Sequence, residues 1–285
     1  MREHAKANCK PATVENYRWA LESYILPELG DVKVAEVDRK RVTDLHYELR
    51  EKPFTANRVL VILSKMLSLA EVWNLRATGT NPRRFVRRYP ERQRERFLTR
   101  EEFRRLGAEL DEAEADGSVH PSAVAAIRLL MLTGCRKGEI LGLKWDDVDR
   151  TAGELRLRGA KSGPRMVPLT APVLRVLDGI PRARGNPWVI RGRRPGTHLT
   201  DLAYHWTRIA ARAGLEGVRI HDLRHSYASR ALALGETLPM IGRLLGHSQM
   251  ETTARYAHLA RDTIRDSAAR IADSIADDIF QGSSV

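Results

Sequence analysis

Cysteine is scarce in this chain. Only Cys9 and Cys135 occur among its 285 residues, far apart and in no C-x-x-C spacing. That argues against a disulfide framework and fits a reducing compartment. Long apolar runs are missing as well: no stretch approaches the length of a membrane span, and the N-terminus carries no apolar signal segment. The expectation is a soluble, intracellular protein with no membrane partner. Acid is the third shortage. Lys and Arg number 48 against 36 Asp and Glu, a net charge of +12, so the chain attracts polyanions and nucleic acid leads the partner classes. Its length suits two domains, each large enough for a core.

What is present begins with helical periodicity. Thr13 can cap a helix with Val14, Tyr17, Leu21, Tyr24 and Ile25 on one face, ended by Pro27 and Gly30. A second helix reads from about Asp38 through Val42, Leu45 and Leu49. A third and most apolar runs from Thr55 to Trp73, and Asn81-Pro82 marks a stop. Basic residues such as Arg39, Arg41 and Lys65 fall on the outer faces of this bundle. Then Arg83, Arg84, Arg87, Arg88, Arg92, Arg94 and Arg96 crowd into fourteen residues around Pro90. Between two patterned regions this reads as an interdomain linker whose one-sided charge can bridge phosphates. A solvated connector is the plainer reading.

Beyond the linker, Thr99-Arg-Glu-Glu102 is a capping box opening a helix with Phe103, Leu106 and Leu110 inward. Pro121 suits the first turn of a buried helix through Val124, Ile127 and Met131. Gly134 then permits a turn, and Arg136 begins a short helix, where a guanidinium beside orphan backbone N–H groups can clamp phosphate. Segments 154–158 and 166–169 read as a β-hairpin with Lys161 at its tip, and Trp188–Ile190 as a further short strand. An amphipathic helix follows from Thr200 through Trp206 and Ile209.

The stretch Arg219–Tyr256 is the most informative. His221 and Arg224 share a helix face, Gly246 turns the chain to present His247, and Tyr256 follows nine residues later. Breaking a phosphodiester needs a nucleophile, cations on the non-bridging oxygens, and a proton for the leaving oxygen. This stretch offers a nucleophile and cations, and Arg136 and Lys161 upstream add a second guanidinium and the reaching cation that an acid would require. From the residues alone, Tyr227 rivals Tyr256 as nucleophile, and Lys137 and Lys144 rival Lys161 as acid. Glu139 reads as structural or as an orienting partner of a cation, and His225 and His258 as structural. His221 and His225 stand four apart like a zinc pair, but the accompanying glutamate is absent and no cysteine is near.

Arg136, Lys161, His221-x-x-Arg224, Gly246-His247 and Tyr256 occur in the contexts TGCRKGEILGLKW, IHDLRHSYAS, LLGHS and TTARYAH. That order resembles the tyrosine recombinases, also called the phage integrase family. The resemblance spans residues 95–260, and the helical N-terminal region resembles that family's core-binding domain. It implies a mainly α fold with a small antiparallel β-sheet. The parts are a helical, SAM-like core-binding domain over 1–88, a basic linker over 89–97, and an α+β catalytic domain over 98–285 with a C-terminal helix over 262–280. It also implies that Tyr256 attacks the scissile phosphate to give a 3′-phosphotyrosyl intermediate, with Arg136, Arg224, His221 and His247 stabilising the transition state. Lys161 would protonate the leaving 5′-oxygen, and neither metal, ATP nor other cofactor would be needed.

The implied partners are a double-stranded recombination site, three further copies in a synaptic homotetramer, and accessory DNA-bending proteins. The free protein would be a monomer or weak oligomer, cytoplasmic and associated with the nucleoid of a bacterium or phage-infected host. The C-terminal helix would dock either on its own domain or into a neighbouring subunit. Many such integrases carry an arm-binding domain; here Met1 leads almost directly into the first helix, and none is evident. The leading function is integration or excision of a phage or mobile element. Alternatives are resolution of chromosome dimers, inversion, a type IB topoisomerase, and a DNA-binding protein with an inactive site.

Overall fold

A computed structural model describes residues 2–91, 95–158, 163–247, 249, 251–257, 268–276 and 279. The chain divides into two compact units, Met1–Arg94 and Glu95–Val285.

The first unit is helical: α1 (Arg2–Asn8), α2 (Pro11–Ala20), α3 (Leu26–Leu29), α4 (Arg39–Glu48) and α5 (Pro53–Val72). Two expectations for its first helix are corrected. Pro11 rather than Thr13 opens α2, because a proline at the first position needs no N–H of its own. Pro27 also fails to stop the chain, which passes from α2 through a π-helical stretch, Leu21–Ile25, directly into α3. A mid-helix proline deletes an N–H and crowds the carbonyl four residues back. The wider turns just before it, with the Leu26 N–H reaching the Leu21 carbonyl, open the room that proline requires. Asp38 caps α4 by accepting from the Arg41 N–H at 2.9 Å. Val59, Leu60, Ile62, Leu63 and Leu67 of α5 bury against Ala20, Ile25, Val42 and Leu45.

The beginning of the expected linker is bound to this unit. Asn57 accepts from the Tyr89 N–H at 2.9 Å and donates to the Tyr89 carbonyl at 2.9 Å. The Tyr89 ring stacks on His46 with centroids 4.2 Å apart.

In the second unit, α6 (Arg100–Ala115) opens on the capping box read from Thr99 and Glu102. Helix α7 (Pro121–Thr133) is apolar nearly all round, burying Ala123, Val124, Ala126, Ile127 and Leu129. It is the axis on which α9 (Ala171–Asp178) and α11 (Asp222–Ala233) pack. Around it lie α8 (Lys137–Leu141), α10 (Ala203–Arg212), α12 (Leu238–Leu245) and α13 (Glu251–Ala254). Strands β1 (Val148–Asp149), β2 (Glu154–Leu157) and β3 (Arg165–Pro168) form an antiparallel sheet in that order. Leu155 faces Val167 and Leu157 faces Arg165. The hairpin tip with Lys161 lies outside the described residues.

Trp188–Ile190 does not form the expected strand. Val189 donates to the Leu143 carbonyl at 2.9 Å, while Ile190 accepts from Leu199 at 2.9 Å. Each flank thus has a different partner, and isolated bridges replace a ladder. Near the C-terminus residues 268–276 are helical, with Ile271 and Ile275 exposed; the rest of the expected 262–280 helix, Ile279 apart, lies outside the described residues. Among the described residues no helix is long and apolar enough to cross a membrane.

Candidate active site

The site is built where three chain reversals meet. The first is Gly134, which ends α7 in the left-handed conformation at φ 61°. A side chain there would strike the Tyr227 ring at 2.7 Å, so Tyr227 packs as a wall of the turn. Arg136 follows as the residue capping α8. Its backbone N–H donates to Glu139 Oε2 at 2.9 Å, its Nη1 to Glu139 Oε1 at 2.8 Å, and its Nη2 to the Gly246 carbonyl at 3.2 Å.

Glu139 is shared. Its Oε2 also accepts from Arg165 Nη2 at 2.7 Å. Arg165, at the start of β3, is partly buried and donates from Nη1 to the Leu244 carbonyl at 2.8 Å. Burial pushes the Glu139 carboxyl up, but the bonds from Arg165 and Arg136 outweigh it, and the net shift is downward. Glu139 therefore stays ionised and fixes both arginines.

The second reversal is Gly246, which ends α12 at φ 65° and ψ 50°. The third is the start of α11, which carries His221, Arg224 and His225 within one turn. Arg224 is 4 % exposed. Its Nη1 donates to the Gly134 carbonyl at 2.6 Å and its Nη2 to the Leu245 carbonyl at 2.7 Å. Arg136 and Arg224 thus hold the consecutive carbonyls 246 and 245, immediately before His247. Burial, followed by the charges of Arg136 and Arg165, lowers the Arg224 pKa from 12.5 to about 10. Burial and like charge thus disfavour its charged form together, and an anion placed between the guanidiniums would offset the repulsion.

The histidines are lowered as well. His221 is lowered by partial desolvation and then by Arg224. His247 is lowered to about 4 by burial, Arg224 and Arg136, so its ring is neutral at pH 7. Its Nδ1 lies 2.8 Å from the hydroxyl of buried Thr253, which leaves Nε2 as the nitrogen facing a ligand.

Tyr256 is 2 % exposed, among Ala228, Leu232, Ile241 and Leu245, with Phe97 tilted against its ring. Burial raises its pKa, and Arg255 and Arg224 partly offset the rise. Its hydroxyl is 2.6 Å from His225 Nδ1. The His221 and His225 rings meet edge to face at 4.9 Å.

Arg136, His221, Arg224, His247 and Tyr256 are therefore brought together. Lys161 cannot be placed among them, since it lies outside the described residues. Its rivals are engaged elsewhere: Lys137 pairs with Asp201 at 2.8 Å, and Lys144 lies over the Trp188 ring. Of the basic cluster, Arg84, Arg87 and Arg88 are exposed on the first unit and Arg83 is partly buried. Arg96 is tied to Glu102 in the second unit, and Arg92 and Arg94 lie outside the described residues. Sequence reasoning missed Arg165 and Thr253, and it set His225 aside as structural. The one available signal for Arg165 was a charge closing the inward-facing register of a hairpin.

This arrangement can hold a phosphate between two guanidiniums and two imidazoles with a phenol close by. The family model described as the phage integrase family matches residues 96–262, and that described as the phage integrase central domain matches residues 1–87. Tyrosine recombinase XerD of Mycobacterium tuberculosis (strain CDC 1551 / Oshkosh) is 31% identical over 278 residues, covering 89% of this chain and 89% of the relative. The Tn1549 transposon integrase in complex with transposon right end DNA superposes with a TM-score of 0.74 at 17% identity, over 94% of this chain and 96% of that one. A lambda integrase tetramer bound to a Holliday junction superposes with a TM-score of 0.67 at 21% identity, over 86% and 74%.

Proposed function

The chain belongs to the phage integrase family and is a tyrosine-type site-specific DNA recombinase, and we propose that Tyr256 is its nucleophile and that Arg136 and Arg224 cradle the scissile phosphate. The observation that carries this reading is the pair of guanidiniums on consecutive carbonyls, 3.2 Å and 2.7 Å away. Each arginine presents its donors in a planar fork that suits phosphate oxygens, and the backbone bonds fix the direction of that fork.

In the proposed step the Tyr256 oxygen bonds to phosphorus and the bond from phosphorus to the 5′-oxygen breaks. The protein is left joined to the 3′ end, and the departing 5′-oxygen takes a proton from Lys161. His221 and His247, neutral at pH 7, donate to the phosphoryl oxygens, adding to the charge stabilisation that dominates such transfers. The phosphodiester energy is kept in the tyrosyl ester, so rejoining needs neither ATP nor metal.

Residues 1–88 would grip the core site and 89–97 would link the units. Arg83, Arg84, Arg87, Arg88, Arg92 and Arg94 would lie along the backbone phosphates; Arg96, already paired with Glu102, contributes less. Two recombination sites would be joined by four copies, as the lambda integrase tetramer on a Holliday junction suggests. The element served is a phage or other mobile element. The length of the match to XerD supports resolution of chromosome dimers as a second reading.

A nicked suicide substrate tests the chemistry. The chain should become trapped on DNA in the presence of EDTA, and Tyr256→Phe should abolish trapping. Trapping that survives Tyr256→Phe, or that needs a divalent metal, overturns this reading.

A further inference from the structure

The phenol that would attack phosphorus must lose a proton, and nothing in the mechanism above receives it. In that mechanism His221, Arg224 and His247 serve the phosphate. The tyrosine hydroxyl instead meets His225, with Nδ1 of its ring 2.6 Å away. That is a short hydrogen bond between the reacting oxygen and a group able to take its proton.

The fold holds the pair in place from both sides. His225 sits on α11 one turn beyond His221, whose ring abuts it edge to face at 4.9 Å. The tyrosine packs among Leu232, Ile241 and Leu245, with Phe97 tilted against its ring. The charged and titratable groups acting on His225 are His221, Asp222 and Arg224 from its own helix and Arg255 from the tyrosine's segment. Burial lowers the imidazole most and the neighbouring cations, which outnumber the single carboxylate, lower it further, so it is neutral and its Nδ1 lone pair can accept the phenol proton.

We propose that His225 is the general base of the cleavage step, receiving the Tyr256 proton on Nδ1 as the phenolic oxygen bonds to phosphorus. The proposal rests on Tyr256 being the nucleophile. The proton balance closes without another reactant. Nδ1 gains the phenolic proton as the bond to phosphorus forms, and the leaving 5′-oxygen draws its proton from the acid on the other side. In the rejoining step the imidazolium returns its proton to the tyrosine oxygen as the phosphotyrosyl bond breaks. Sequence alone set this histidine aside as structural.

The test compares His225→Gln, which can still hydrogen-bond but cannot accept a proton, with the unchanged chain in single-turnover cleavage of a nicked suicide duplex. Both are prepared with natural tyrosine and with a genetically encoded ring-fluorinated tyrosine at position 256, whose phenol ionises near neutral pH. With natural tyrosine the variant should cleave about 100-fold more slowly, a usual size for one proton-transfer catalyst, while gel-shift affinity for the duplex is kept. With the fluorinated residue most of that deficit should vanish, because an ionised phenol needs no base. His225→Asn runs through the same arms and decides the matter should the glutamine variant fold poorly.

Cleavage by the variant at or above the unchanged rate would overturn the proposal and leave His225 as a holder of the resting tyrosine. A deficit untouched by fluorination would overturn it too, in favour of a packing role. Tyr256→Phe separates the two levels: trapping that persists there refutes the nucleophile, whereas its loss alongside normal cleavage by His225→Gln refutes only the base.

Discussion

Replacing Gly246 with alanine should damage this protein far more than one added methyl suggests. Gly246 sits at φ 65° and ψ 50°, where an L-residue costs about 1–2 kcal/mol. The added Cβ would also lie 2.3 Å from Arg165 Cδ and 2.7 Å from its Nε. Arg165 has little freedom to retreat, since it is partly buried and bonded to the Leu244 carbonyl and to Glu139 at 2.8 and 2.7 Å. Losing either charge-assisted bond costs about 1.5–3 kcal/mol, so a total near 4 kcal/mol is expected. Gly235→Ala is the control, because Gly235 has φ +90° but nothing within 4 Å of a new Cβ, and only the backbone cost of about 1–2 kcal/mol applies. Urea unfolding of both variants gives the comparison. Arg165→Ala combined with Gly246→Ala should be less than additive by about 2 kcal/mol. Equal losses in the two glycine variants, or strict additivity with Arg165→Ala, would refute the collision and the Glu139 bridge with it.

Further outcomes follow from the same geometry. His225 and His247 titrate near 4 in the folded chain, against 6.5 when exposed. Their stabilising contribution is therefore complete above pH 6.5 and is lost as pH falls toward 4. At pH 5 each should cost about 1–2 kcal/mol relative to pH 8, and His247→Gln should remove its share from the difference in urea midpoints. Thr253→Val strips the hydroxyl 2.8 Å from His247 Nδ1 and should slow strand cleavage about tenfold, the worth of one hydrogen bond. Thr253→Ser should restore the rate, and an unaffected valine variant would show that the tautomer is set elsewhere. Asn57→Ala removes the bonds to both backbone groups of Tyr89. It should destabilise the first unit by about 1–3 kcal/mol and speed tryptic cutting at Arg87 and Arg88; a resistant variant would contradict the clamp.

The elements most visible in the sequence were those whose signal is local. Asp38 caps α4 and Thr99 with Glu102 boxes α6, because a cap is written in three or four adjacent residues. The apolar spacing of α5 and α7 marked both as core helices, and the family order of Arg136, His221, Arg224, His247 and Tyr256 named the residues that converge. What stayed hidden depended on non-local partners. Pro27 reads as a stop until the π-helical stretch before it is known. Val189 and Ile190 have a strand's composition, yet their hydrogen bonds go to Leu143 and Leu199 on different sides. Arg165 is an ordinary hairpin arginine until Glu139 and Gly246 are seen beside it. His225 became a candidate only when Tyr256, thirty-one positions away, was found 2.6 Å from its ring.

Whether Tyr256 attacks phosphorus is decided by finding the residue that carries the nucleotide. Protein trapped on a suicide duplex would be digested with nuclease and protease, and the adduct peptide sequenced by mass spectrometry. One nucleotide remnant is expected, joined through its 3′-phosphate to the peptide holding Tyr256. A remnant on the peptide holding Tyr227, or one joined through a 5′-phosphate, would contradict it.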